Sequence, residues 1–184
     1  FLEELWSRNL GNLLMSPLRP LEFVVALMAM SLARLAVGMI PATILAIAFF
    51  GFDLARLGIG FVAFFALLVI TSWAVGLVVA GLILRHGLGA ESLAWTIMFV
   101  FWPLCCVYYP LSVLPAWLKP FALALPPTHV FEGMRAVLAD GVLRFDHLAA
   151  AAGLNLLWMV AASFAFIALL DKAREAGSLL SSGE

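Results

Sequence analysis

Catalysis needs a nucleophile beside a base, a pair of carboxylates or a cluster of metal ligands, so histidines, cysteines and paired charges are the first residues to weigh. The three histidines, His86, His129 and His147, lie far apart in sequence and form no paired-histidine zinc motif. Cys105 and Cys106 are adjacent rather than spaced as a metal or redox pair, and within an apolar run they read as small packing residues. No glycine-rich loop ends in Lys-Ser or Lys-Thr, and the only lysines are Lys119 and Lys172. The chain therefore has no P-loop, no cofactor is expected on it, and ATP would have to be hydrolysed on a partner. His129 and Glu132 could act as base and orienting acid of an intramembrane enzyme. The alternative needs no chemistry: His129 opens a helix and Glu132 stabilises its positive end. Glu132 and Arg135 stand three apart and can pair, which points to a positioning role.

The elements that carry these residues follow from composition. Of 184 residues, 65% are hydrophobic and 11% charged, where a soluble domain carries about 25% charged residues. Ten Lys and Arg against eleven Asp and Glu leave no basic surface for nucleic acid. A crossing of about 30 Å of hydrocarbon takes roughly 20 helical residues. Four apolar stretches supply membrane helices: 21–52, 57–84, 92–110 and 148–170. The second and fourth are uninterrupted, the fourth with Asn155 and Ser163 inside it. The third is broken by Pro103 and ends near Pro110. The first is long and carries Glu22 and Arg34, so its membrane part is most simply Leu35 to Phe52. Backbone groups cannot stay unpaired in lipid, and long uniform runs exclude a barrel of short alternating strands. The expected fold is all-α and integral to the membrane, in one domain over 1–184.

The connections say more than the spans. Leu2, Leu5, Trp6, Leu10, Leu13 and Leu14 fall on one helical face, with Glu3, Glu4, Ser7, Arg8, Gly11 and Asn12 opposite. This amphipathic helix breaks at Ser16-Pro17-Leu18-Arg19-Pro20, where the prolines force a turn. From 111 to 143 the chain is rich in proline and aromatic residues. Two short interfacial helices are expected there, near Ala116–Leu125 and His129–Leu138, with Thr128 as an N-cap and Asp140-Gly141 as the stop. Residues 171–184 form a short polar tail.

With the N-terminus inside, Arg8, Arg19, Arg34, Arg85, Lys172 and Arg174 fall on the inner side, against Arg56, Lys119, Arg135 and Arg144 outside. Both termini are expected in the cytoplasm. Since Leu35 to Phe52 suffices for a crossing, Arg34 is read as snorkelling to the interface; the other reading places it on a polar substrate pathway. The pairs Gly38 and Ala42, Gly76 and Ala80, and Ala149 and Gly153 suggest close helix packing, within the chain or with a second copy.

Four segments resemble the permease subunit of type-two ABC exporters: the amphipathic helix ending in Ser16-Pro17-Leu18, the ending Asp171-Lys172-Ala173-Arg174-Glu175-Ala176-Gly177-Ser178-Leu179, similar to that family's cytoplasmic tail, the stretch Tyr109-Pro110-Leu111-Ser112-Val113-Leu114-Pro115-Ala116-Trp117-Leu118, and Leu125-Pro126-Pro127-Thr128-His129-Val130-Phe131-Glu132-Gly133-Met134-Arg135. The last is the most specific, since a proline, a small polar residue, an acid and an arginine recur at this spacing in that family. The resemblance implies the third to sixth of six spans, so the first two are expected to lie outside this sequence. It implies two ATPase subunits and a second permease as partners, in a bacterial inner membrane. The cargo would be a drug, lipid, polysaccharide or lipo-oligosaccharide. Glu4, Arg8, Ser16, Pro17 and Arg19 would then meet the ATPase, and Pro110, Pro115, Pro126, Thr128, Glu132 and Arg135 would form outer gate helices. An intramembrane enzyme and a non-transporting scaffold are the competing readings.

Overall fold

The computed structural model describes residues 20–51 and 58–175, which are mostly helical with no strand among them. The amphipathic helix expected before Pro20 and most of the tail lie outside the described residues. The chain divides into two units, the first containing α1 (Pro20–Phe50) and the second all later elements.

In the first unit, α1 runs without interruption through Arg34 and Pro41, and its apolar stretch spans Val25–Phe50. This stretch is longer than the Leu35 to Phe52 expected to cross, because the residues before Arg34 are apolar and helical too. Pro41 cannot donate to the Val37 carbonyl. A membrane helix tolerates this because the remaining turns still satisfy the backbone.

The second unit is built on two long apolar helices, α2 (Gly58–His86) and α6 (Phe145–Glu175), packed along each other. Lipid is as apolar as leucine, so such helices associate through close fit and buried polar contacts rather than through hydrophobic exclusion. Both devices are present. A Cβ added at Gly81 would lie 2.9 Å from Leu169 Cδ1, and one at Gly60 would lie 3.0 Å from Leu143 Cδ1. The close approaches are thus at Gly60, Gly81 and Gly133. At Gly38, Gly76 and Gly153 an added Cβ meets nothing within 4 Å, so those glycines do not mark packing faces within the chain. Midway along the pair, Asn155 of α6 and Thr71 of α2 are buried. Asn155 Nδ2 donates to the Leu67 carbonyl at 3.0 Å, and the Thr71 hydroxyl lies 2.7 Å from Asn155 Oδ1. The amide therefore bridges the helices with both of its ends engaged.

Between these helices the chain makes α3 (Glu91–Leu104), α4 (Lys119–Leu123) and α5 (Pro126–Asp140), with single 3-10 turns at Leu88–Ala90 and Leu111–Val113. The helix expected to reach Pro110 stops at Leu104. Pro103 removes one backbone donor, and Cys106 turns into the left-handed region at φ 54°, which no helix can continue through. Among the described residues three helices are long and apolar enough to cross a membrane, and α3 is a shorter apolar helix of 14 residues. The expected pair of short helices takes the form of α4 and α5, with α5 starting at Pro126. Leu125 is extended, as a residue before proline prefers, and Pro126 takes the first helical position, where its missing N–H costs nothing. Thr128 is therefore not the N-cap and His129 does not open the helix. The end is as expected: Gly141 adopts φ 68° and its N–H donates to the Val137 carbonyl at 2.9 Å.

Helix α5 lies against both α2 and α6. Its tightest contact is Gly133 on the fully buried Phe64 ring, where an added Cβ would stand 2.7 Å from Cε1. Gly133→Ala is expected to destabilise the chain by about 1–3 kcal/mol. Phe64→Leu in the same chain should recover part of that loss. Thermal unfolding of the purified protein in detergent checks both, and an unchanged midpoint for Gly133→Ala would contradict this packing.

Candidate functional site

After Leu104 the backbone leaves helical geometry, so its amides and carbonyls lose their intrahelical partners while the sequence stays apolar. Cys105, Cys106, Leu114 and Ala122 are buried, and Tyr109, Leu111 and Leu118 pack on that cluster. Water cannot serve a buried backbone, so side chains must. Helix α5 supplies most of them. The Leu111 amide donates to Glu132 Oε1 at 2.7 Å, and Arg135 Nη2 donates to the Cys106 carbonyl at 2.6 Å. Arg135 Nη1 reaches the Val107 carbonyl at 3.4 Å. The same Nη2 pairs with Glu132 Oε1 at 2.9 Å, so one carboxylate and one guanidinium brace residues 106–111 and hold each other in place. Arginine suits this position because its planar fork can address several oxygens at once.

Further bonds complete the brace. The Thr128 hydroxyl donates to the Leu104 carbonyl at 3.3 Å, and the Tyr109 hydroxyl donates to the Pro103 carbonyl. Pro110, extended at ψ 154°, caps the 3-10 turn whose first amide is the one Glu132 receives. The Pro115 carbonyl accepts the Leu118 amide at 2.9 Å and turns the chain into α4. From the other side, Trp158 Nε1 of α6 donates to the Ala124 carbonyl at 3.2 Å, and its ring meets the Phe101 ring edge-on at 5.6 Å.

Of the residues singled out in the sequence, Pro110, Pro115, Pro126, Thr128, Glu132 and Arg135 thus come together in one braced region. Arg34 lies on α1 in the other unit, and Glu4, Arg8, Ser16, Pro17 and Arg19 lie outside the described residues. Glu132 sits seven residues into α5, where it receives the Leu111 amide instead of stabilising the helix start. His129 Nε2 bonds the Leu123 carbonyl at 2.9 Å, so His129 and Glu132 are each committed to a different part of the backbone. No group of three metal-ligating side chains occurs among the described residues. The roles of Leu111, Trp158 and Asn155 were missed in the sequence. Only Asn155, a polar side chain in the middle of an apolar run, carried a signal that could have found it.

Long apolar helices, with an irregular segment braced by side chains of α5, fit a multi-pass membrane protein. The ABC-2 type transporter family matches residues 4–139, and the chain belongs to that family. It is accordingly an ABC transporter permease, a transport subunit and not an enzyme in itself. It matches none of the curated proteins and none of the solved structures with which it was compared.

Removing Arg135 should leave the Cys106 carbonyl without its charged donor, and Glu132→Ala should orphan the Leu111 amide. Each is expected to cost about 1.5–3 kcal/mol. Because the two side chains share a bond, a double-mutant cycle with Arg135→Ala should give a coupling of roughly 1 kcal/mol or more. Strictly additive unfolding free energies would show that the brace does not act as a unit.

Proposed function

We propose that this chain is the membrane half of an ATP-driven exporter, and that the braced region from Leu104 to Asp140 is its outer gate. The observation that carries the reading is the apolar, irregular segment 105–118, braced by α5 at the Leu111 amide and the Cys106 and Val107 carbonyls. Such a segment is tolerated at membrane depth only where protein encloses it. In a transport family, a segment of that kind at a helix end is well suited to open or close a pathway. Its cargo would belong to the drug, lipid, polysaccharide or lipo-oligosaccharide class. Arg34 on α1 snorkels to the interface in this reading, and contact with a polar part of the cargo is the second role open to it.

Fourteen helical residues rise about 21 Å, short of the roughly 30 Å of hydrocarbon. In this reading α3 together with residues 105–110 makes the third of four crossings, and α6 as the fourth returns the chain to its starting side. Both termini then lie in the cytoplasm of a bacterial cell, with the last basic residues next to the inner surface. Single cysteines introduced as Ser7→Cys and Ser178→Cys, in a chain with Cys105 and Cys106 replaced by alanine, should be labelled from the same side by an impermeant maleimide. Labelling from opposite sides would mean three crossings and would overturn this arrangement.

The ATPase would be engaged through the amphipathic helix before Pro20, with Glu4 and Arg8 on its polar face and Ser16, Pro17 and Arg19 setting its angle. Two ATPase subunits and a second permease would complete the assembly. Closure of the ATPases on nucleotide would then move this helix, and the difference in contacts between the two states would supply the coupling. Reversing both charges, Glu4→Arg with Arg8→Glu, should abolish co-purification with the nucleotide-binding subunit or uncouple its hydrolysis from transport. A complex that assembles and transports normally would refute this contact.

A further inference from the structure

Two of the three histidines meet, although 18 positions separate them in the sequence (147 less 129). His129, in the first turns of α5, and His147, at the start of α6, place their ring centroids 5.8 Å apart with planes inclined by 47°. Both side chains are half-buried. The Leu123 carbonyl can only accept, so the 2.9 Å bond fixes the proton of His129 on Nε2 and leaves Nδ1 as a free lone pair. A ring nitrogen held by a backbone carbonyl while the other stays open is the usual arrangement of a metal-ligating histidine. Bonds of about 2.0–2.1 Å from two imidazoles to one ion put their centroids roughly 5–6.5 Å apart, which includes the separation found here.

We propose that His129 and His147 form a two-histidine site for a late first-row divalent metal ion, with copper(II) or zinc(II) as the best fit. Imidazole suits these ions, copper(II) binds most tightly in the series, and water or anions would fill the remaining positions. With no third protein ligand the site exchanges its ion readily. Its effect is to tie the start of the gate helix to the start of the last span. It is independent of the charged brace, which lies further along α5 at Glu132 and Arg135.

The test uses the whole chain in nanodiscs, purified through a tag that contains no histidine, and titrated with copper(II) alone and zinc(II) alone. One equivalent of copper(II) should bind with an electron paramagnetic resonance spectrum showing two nitrogen ligands. His147→Asn and His129→Gln should each weaken binding at least ~tenfold. His129→Gln keeps a donor for the Leu123 carbonyl, so it guards against a folding defect, and His86→Gln should leave binding unchanged. Added zinc(II) should raise the unfolding temperature of the native chain but not of either variant. Absence of saturable binding by the native chain, or binding unaltered in both variants, would overturn the site.

Discussion

The structure depends on one requirement, that every backbone polar group in an apolar setting find a partner within the protein. Helices α1, α2 and α6 meet it internally. The segment after Leu104 cannot, because Pro103 lacks a donor and Cys106 is left-handed. The solution is a helix placed alongside that carries an acceptor and a donor fork three residues apart. Glu132 takes an amide, Arg135 takes carbonyls, and the charges cancel across 2.9 Å. Neither charge would be tolerated there alone, since a poorly hydrated ion without a partner is strongly destabilising. The paired charges thus hold irregular backbone against an apolar cluster.

The same requirement explains how sparing the rest of the unit is with polar side chains. Asn155 is acceptable in the middle of α6 because Leu67 and Thr71 engage both ends of its amide. In a membrane such contacts are worth about 0.6 kcal/mol on average, so they select a register more than they hold helices together. Adhesion comes from fit, and fit demands absent side chains. Gly60, Gly81 and Gly133 each sit where a Cβ would collide, on Leu143, Leu169 and Phe64 respectively.

Much of this was legible in the sequence. Run length alone places three spans, because the cost of a charge in hydrocarbon leaves a plain mark in composition. The stop at Asp140-Gly141 and the Glu132–Arg135 pair follow from local rules that tertiary structure did not override. The helix boundary near Pro110 was not legible, since the turn depends on Cys106 adopting a conformation that no composition rule assigns to cysteine. The start of α5 moved because Leu125 precedes a proline, and that signal outweighed Thr128 as a cap. The small-residue pairs do not mark the close approaches among the described residues, for a different reason. Spacing identifies a face on which helices can approach, but the partner decides which glycine is used, and Gly133 faces Phe64 from a helix that is not itself a span. The meeting of His129 with His147 likewise depends on how α5 folds back on α6, which sequence distance conceals.

Helix α5 is fastened by contacts of three kinds: steric fit to Phe64 of α2, charged bonds to residues 106–111, and ring contact with His147 of α6. These respond differently to displacement. A steric fit tolerates sliding along the glycine face but not approach, whereas a charged hydrogen bond in a dry setting weakens steeply with distance and angle. A shift of α5 relative to α2 is therefore cheap in some directions, while a shift relative to residues 106–111 is costly in all. The charged bonds thus tie α5 to residues 106–111 with the stricter geometry, and the glycine face ties it to α2 by shape. In the gate proposed above, an opening that carries α5 and residues 106–111 together would keep these backbone bonds.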